Sequence, residues 1–148
     1  KLYSSWANNF NWFVFKAVIK ISMIKNFLII NCIGKDDKLG LRINKDFFIK
    51  NFVNQKNNEN LTSQILEFLK SHNVKLDENF SVIVNQGPGS FSGVRIALSI
   101  AKGIEIAKKV KIFGFKNENL LRFDKVNIEK LISKNLIENK LIKPLYLS

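Results

Sequence analysis

Val84-Asn85-Gln86-Gly87-Pro88-Gly89-Ser90-Phe91-Ser92-Gly93-Val94-Arg95 is the stretch on which the fold of this chain turns. It follows the apolar run Phe80 to Val84, which has strand composition, and leads straight into a long helical pattern. Gly87, Gly89 and Gly93 supply backbone angles that other residues avoid and let the chain approach a phosphate or a second backbone closely. Pro88 fixes one φ angle and removes one donor, so the loop has a set shape. Strand, glycine loop and helix in this order aim free N–H groups at whatever sits above the helix N-terminus, a place suited to an anion. The alternative is a tight β–α turn that holds no ligand.

The two familiar phosphate loops do not fit. In G-x-x-x-x-G-K-[ST] the outer glycines are closer by one residue than Gly87 and Gly93, and Val94-Arg95 stands where Lys-Ser/Thr belongs. The pattern G-x-G-x-x-G fails at its third glycine, which is Ser92, and no acidic residue ends a following strand to hold a ribose.

From Phe27 onward the pattern is that of an α/β domain. Phe27-Leu28-Ile29-Ile30 is a continuous apolar run, as in a strand buried on both faces. Gly34 to Lys38 turns, Leu39 to Asn44 pairs back, and Asn44-Lys45-Asp46 turns again before a strand over Phe47 to Val53. The polar stretch Asn54 to Asn60 offers helix caps, and Leu61, Ile65, Phe68 and Leu69 share one face of the helix that follows. His72-Asn73 closes that helix. After the glycine loop a helix runs to about Lys109, a strand covers Val110 to Phe115, and a last helix spans Asn127 to Asn135. Three antiparallel strands followed by α–β–α–β predict a mixed sheet with flanking helices.

Composition agrees with such a domain. A chain of 148 residues with 46% apolar content can build one core. A single cysteine, Cys32, excludes an internal disulfide and fits a reducing compartment. The net charge of +12 points to a polyanionic partner, yet the lysines are scattered rather than gathered with aromatics on one face. Residues 1–22 differ from the rest: Trp6, Phe10, Trp12, Phe13 and Phe15 occur with three lysines and no acid. Their apolar run is broken by Lys16 and falls far short of the ~20 residues a membrane span needs. The segment reads as a foreign-looking extension, with a lobe over 23–121 and a short helix and extended tail over 122–148.

The string GPGSFSGVR followed by IALSIAKGIE (87–105) resembles the GPGSFTGLRIG…AKG signature of the TsaB (YeaZ) family, related to the glycoprotease-like M22 proteins. A strand-forming start at Met23, the helix entry Asn58-Glu59-Asn60-Leu61 and the ending Pro144-Leu145-Tyr146-Leu147 agree with the family in order. The resemblance implies a ribonuclease-H-like lobe of the actin/sugar-kinase superfamily, whose members carry a second, similar lobe that is largely missing here. It implies a cytoplasmic, non-catalytic scaffold in tRNA threonylcarbamoyladenosine synthesis, pairing with a TsaD-type catalytic homologue and a TsaE-type ATPase. It further implies a homodimer when alone, indirect contact with tRNA, no membrane, and no cofactor of its own, with ATP or ADP at the boundary with the partner subunits. The loop site carried over is Gly87, Pro88, Gly89, Ser90, Phe91, Ser92, Gly93 and Arg95. The partner interface carried over is Leu61, Ile65, Phe68 and Leu69 on the first helix, with Ala97, Leu98, Ile100, Ala101 and Ile104 on the second.

The residues themselves offer little catalytic machinery. Where the superfamily ends its first strand in an acid that helps hold metal and nucleotide, this chain has Asn31-Cys32, which removes the charge a hard cation favours. His72 stands alone, Ser90 and Ser92 have no histidine partner, and nothing near Cys32 would lower its pKa. The helix after the loop is apolar around most of its girth, with small ridges Gly93–Ala97–Ala101 and Ser99–Gly103–Ala107 that would admit another helix. The expectation is that the first ridge meets a partner and has no role in the monomer's core. Two other classes stay open: a stand-alone nucleotide-binding or peptidase-like enzyme, against which Asn31 speaks, and a basic RNA-binding accessory, against which the scattered lysines speak.

Overall fold

Phe27 to Asn31 are all buried, because β1 (Asn26–Asn31) lies at the centre of a five-stranded sheet. The structure is a computed structural model and describes residues 11, 12, 15, 24–52, 60–139 and 142–145. β2 (Lys38–Ile43) pairs antiparallel with β1, and β3 (Asp46–Asn51) pairs antiparallel with β2. On the other side β4 (Phe80–Asn85) runs parallel to β1, and β5 (Lys111–Phe115) runs parallel to β4. The order β3-β2-β1-β4-β5 is therefore a mixed sheet, as the pattern predicts. Alternation along β1 sends Leu28 and Ile30 to one face and Phe27 and Ile29 to the other, which explains the unbroken apolar run.

Helices cover both faces. α1 (Leu61–Ser71) and α2 (Phe91–Lys108) pack on the Leu28/Ile30 side with Leu39, Leu41, Val82 and Val84. α3 (Lys125–Ser133) packs Ile128, Leu131 and Ile132 on the other side against Phe27, Ile29, Ile83, Phe113 and Phe115.

The element ends follow local chemistry. Lys109 takes a left-handed conformation (φ 59°) and donates its N–H to Glu105 O, so α2 stops at Lys108 and β5 begins at Lys111, one residue later than the apolar pattern suggests. α3 starts two residues earlier than expected because Asp124 caps it, its carboxylate accepting from Asn127 N at 2.8 Å. That backbone hydrogen bond holds the Asp124 carboxyl below its usual range. Asn73, at φ 52°, ends α1 as predicted, with Val74 N–H returning to Leu69 O. Asn60, expected as a cap, has helical angles and makes no side-chain capping bond. β3 ends at Asn51, one residue before Phe52, which the expected strand included; Val53, residues 54–59 of the polar stretch and Met23 lie outside the described residues. Within 1–22 only Asn11, Trp12 and Phe15 are described. Phe15 N–H donates to Asn11 O and its ring meets Trp12 edge-on.

Candidate functional site

The glycine loop leaves the end of β4 and is bound to its own chain at nearly every turn. Gln86 N–H donates to Phe115 O at 2.8 Å, extending the β4–β5 pairing by one residue. Gly87, at φ 90°, donates its N–H to Asn85 Oδ1 (2.9 Å) and accepts at its carbonyl from Asn117 N (2.9 Å). Ser90 N–H donates to Ile33 O at 2.7 Å, and Ser90 Oγ accepts from Gly93 N at 3.4 Å as the N-cap of α2. The N–H groups of Gly87, Ser90 and Gly93 are thus engaged internally. These three are therefore not offered to an anion.

Gly89 and Gly93 lie in close contact with the segment after β1. A Cβ on Gly89 would lie 2.7 Å from Ile33 Cβ, and one on Gly93 would lie 2.7 Å from Cys32 O. The segment after β1 therefore rests directly on the loop and on the first turn of α2. The described tail does the same from below: Leu145 N–H donates to Gln86 O at 2.8 Å, and Gln86 Nε2 donates to Lys143 O at 3.0 Å. Phe91 is 59% exposed at the helix start, and the Arg95 guanidinium sits 4.9 Å above its ring.

Beneath the loop lies a cluster of buried amides. Asn85 Nδ2 donates to Asn31 Oδ1 at 2.6 Å and to Asn117 Oδ1 at 3.0 Å, while its own Oδ1 takes the Gly87 N–H. Asn31, where the resemblance implies an acid in relatives, is thereby part of the support that fixes the loop. The neighbouring Cys32 is 3% exposed, and burial drives its thiol pKa strongly upward, with the Asp37 charge adding to the shift. That is the environment of an inert core thiol. Burial also raises Asp37, against the hydrogen bonds from Gly34 and Ile33 N–H. His72 stacks on Phe48 at 4.2 Å and hydrogen-bonds Phe68 O through Nδ1, the structural placement expected of a lone histidine. Among the described residues no group of three His, Cys, Asp or Glu could hold a metal ion, and no helix is long and apolar enough to cross a membrane.

The carried-over interface is largely core. Leu61, Ile65, Phe68 and Leu69 of α1, and Ala97, Leu98 and Ala101 of α2, are buried in this chain, with Ile65, Ala97 and Ala101 fully so. The ridge Gly93–Ala97–Ala101 faces the sheet, because small residues there let α2 lie close to β4 and to the segment after β1. Ile100 and Ile104 flank it, half-buried. The outward ridge is the other one. Ser99, Gly103 and Ala107 are exposed, nothing among the described residues lies within 4 Å of a Cβ built on Gly103, and Ile106 beside them is 81% exposed. On α1 Leu66 is 52% exposed. Leu66 and Ile106 fall off the inward stripes of their helices, which is the sequence signal that could have found them.

A family model described as TsaD, tRNA N6-adenosine threonylcarbamoyltransferase, matches residues 51–117, from the end of β3 through β5. The tRNA threonylcarbamoyladenosine biosynthesis protein TsaB of Buchnera aphidicola subsp. Baizongia pistaciae (strain Bp) is 50% identical over 46 residues, 31% of this chain. Part of the chain is thus similar to proteins of the TsaB (YeaZ) family. Two solved structures share its fold: YeaZ from Pseudomonas aeruginosa and a protein with similarity to peptidase YeaZ from the same organism. Each has a TM-score of 0.58 and 19% identity over 66% of this chain. The mixed five-stranded sheet with flanking helices is thus the α/β fold that this chain shares with those structures. The chain spans 46% of each solved chain and 21% of the curated TsaB relative.

Proposed function

We propose that this chain is a docking subunit for tRNA threonylcarbamoyladenosine synthesis, pairing with a TsaD-type catalytic subunit through the outward side of α1 and α2. The observation that carries this is the exposed strip Ser99, Gly103, Ile106 and Ala107. It is apolar and nearly flat, so a second helix can approach its backbone closely and remove Ile106 from water. Leu66 extends the apolar character of this layer to α1. The loop and its amide support set the angle at which α2 leaves the sheet, which makes their role positional. Asn31 supports a subunit without its own reacting groups, since the neutral amide is committed to Asn85. In this proposal a TsaE-type ATPase joins the assembly, ATP or ADP sits at the subunit boundary, and the chain pairs with itself when no partner is present.

The test is reconstitution. The full chain is co-expressed with the TsaD-type subunit of the same organism, and complex formation and threonylcarbamoyladenosine formation on tRNA are measured. The proposal requires a co-purifying complex and a dependence of product formation on the chain. A TsaD-type subunit that neither binds it nor responds to it refutes the proposal.

A further inference from the structure

At the end of the sheet opposite the glycine loop, the entry to β1, the end of β2 and the second half of α3 line an open cleft of about 700 Å³. The β1 strand separates the two ends by about 20 Å, six residues at ~3.3 Å each. The charged lining is Lys25, Arg42 and Lys45 against a single acid, Glu129, so the cleft carries excess positive charge. Arg42 is only loosely committed to that acid. Its Nη1 is 3.8 Å from Glu129 Oε1, far beyond the ~2.7–2.9 Å of a charge-assisted hydrogen bond. Among the described residues its Nε is shut off from solvent and has no hydrogen-bond partner. The Arg42 side chain keeps 29% of its surface exposed at the wall of this cationic cleft, with only the long contact to Glu129 to offset its charge.

We propose that this cleft binds a phosphate group. A guanidinium presents paired donors that match phosphate oxygens, and two flexible ammonium groups can close on the remaining negative charge. Two positive charges beyond Glu129 suit a phosphate dianion or two adjacent phosphodiesters better than a single carboxylate. The rim is built, because Asn26 Oδ1 accepts from Asn44 N at 2.8 Å and Asn44 turns the chain at φ 58°, which sets Lys45 beside the opening. The phosphate can come from an RNA backbone or from a free pyrophosphate-bearing molecule.

The full chain is titrated with a fluorescently labelled, unmodified tRNA transcript by anisotropy, and with inorganic pyrophosphate by calorimetry, each at several salt concentrations. Lys25 and Lys45 are exposed, so Lys25→Gln/Lys45→Gln keeps the fold; Lys102→Gln/Lys108→Gln removes the same charge from exposed positions of α2. The cleft variant weakens binding tenfold or more at low salt and lowers the salt slope by about one to two units, as the loss of that many phosphate contacts requires. The α2 variant changes affinity less than twofold. Pyrophosphate that binds and displaces the transcript identifies a free ligand, whereas transcript binding that pyrophosphate leaves intact identifies a strand. Equal weakening by both variants, or no binding of either probe, overturns the proposal. Partner docking uses the opposite face of the sheet, so its failure leaves this measurement readable.

Discussion

Gly103→Arg separates folding from docking. Gly103 sits inside α2 on the exposed side, and a Cβ there meets no atom of the described residues within 4 Å. In the isolated chain, replacing an exposed helical glycine by arginine gains about 0.8 kcal/mol of helix propensity. For a chain of 148 residues that raises the melting temperature by ~2–3 °C. In the proposed complex the same arginine meets a partner helix at close range. Burying an unpaired charge costs about 3 kcal/mol or more, which is at least a hundredfold in dissociation constant. The paired control is Ala97→Arg, at a position with no exposure in the sheet-facing ridge, where the charge enters this chain's own core and unfolds it. Circular dichroism melting of each variant, with calorimetric titration against the TsaD-type subunit, reads both effects. A Gly103→Arg chain that binds within threefold of the parent refutes docking through this strip. One that melts well below the parent refutes the exposed placement of Gly103.

Gly93→Ala lowers the urea midpoint by an amount equivalent to ~1–3 kcal/mol although alanine is the better helix former, because its Cβ would lie 2.7 Å from Cys32 O. Asn85→Asp destabilises by several kcal/mol at neutral pH, since it sets a carboxylate against Asn31 Oδ1 and Asn117 Oδ1; the loss shrinks on acidification, and melting across pH checks it. Asp124→Ala lowers the melting temperature at pH 7 by removing the α3 cap. The capping carboxyl has a folded pKa below its usual range, so its contribution is present above about pH 4 and fades as pH falls through the folded value. A gap between parent and variant that stays constant down to pH 2 would contradict that assignment.

The strands were legible because burial on both faces writes an unbroken apolar run, and Phe27 to Ile30 sits where that rule places it. The resemblance to the TsaB (YeaZ) family was legible in the glycine loop, whose glycines are packed closely on the chain, Gly89 on Ile33 and Gly93 on Cys32. The side on which α2 is buried was not legible. Two small-residue ridges lie on that helix, and sequence periodicity gives their spacing without saying which one touches the sheet. The apolar girth points to a helix with two contacts, but only the position of Cys32 O against Gly93 shows that Gly93, Ala97 and Ala101 turn inward. The same limit applies beneath the loop. Asn31 announces the loss of a charge, whereas Asn85 and Asn117 look like ordinary strand-end and turn residues until tertiary contact joins them, from 54 and 32 positions apart, to one buried amide network. A loop whose shape rests on such distant partners cannot be transplanted as a local motif. Its string carries the resemblance, and the surrounding fold makes it rigid.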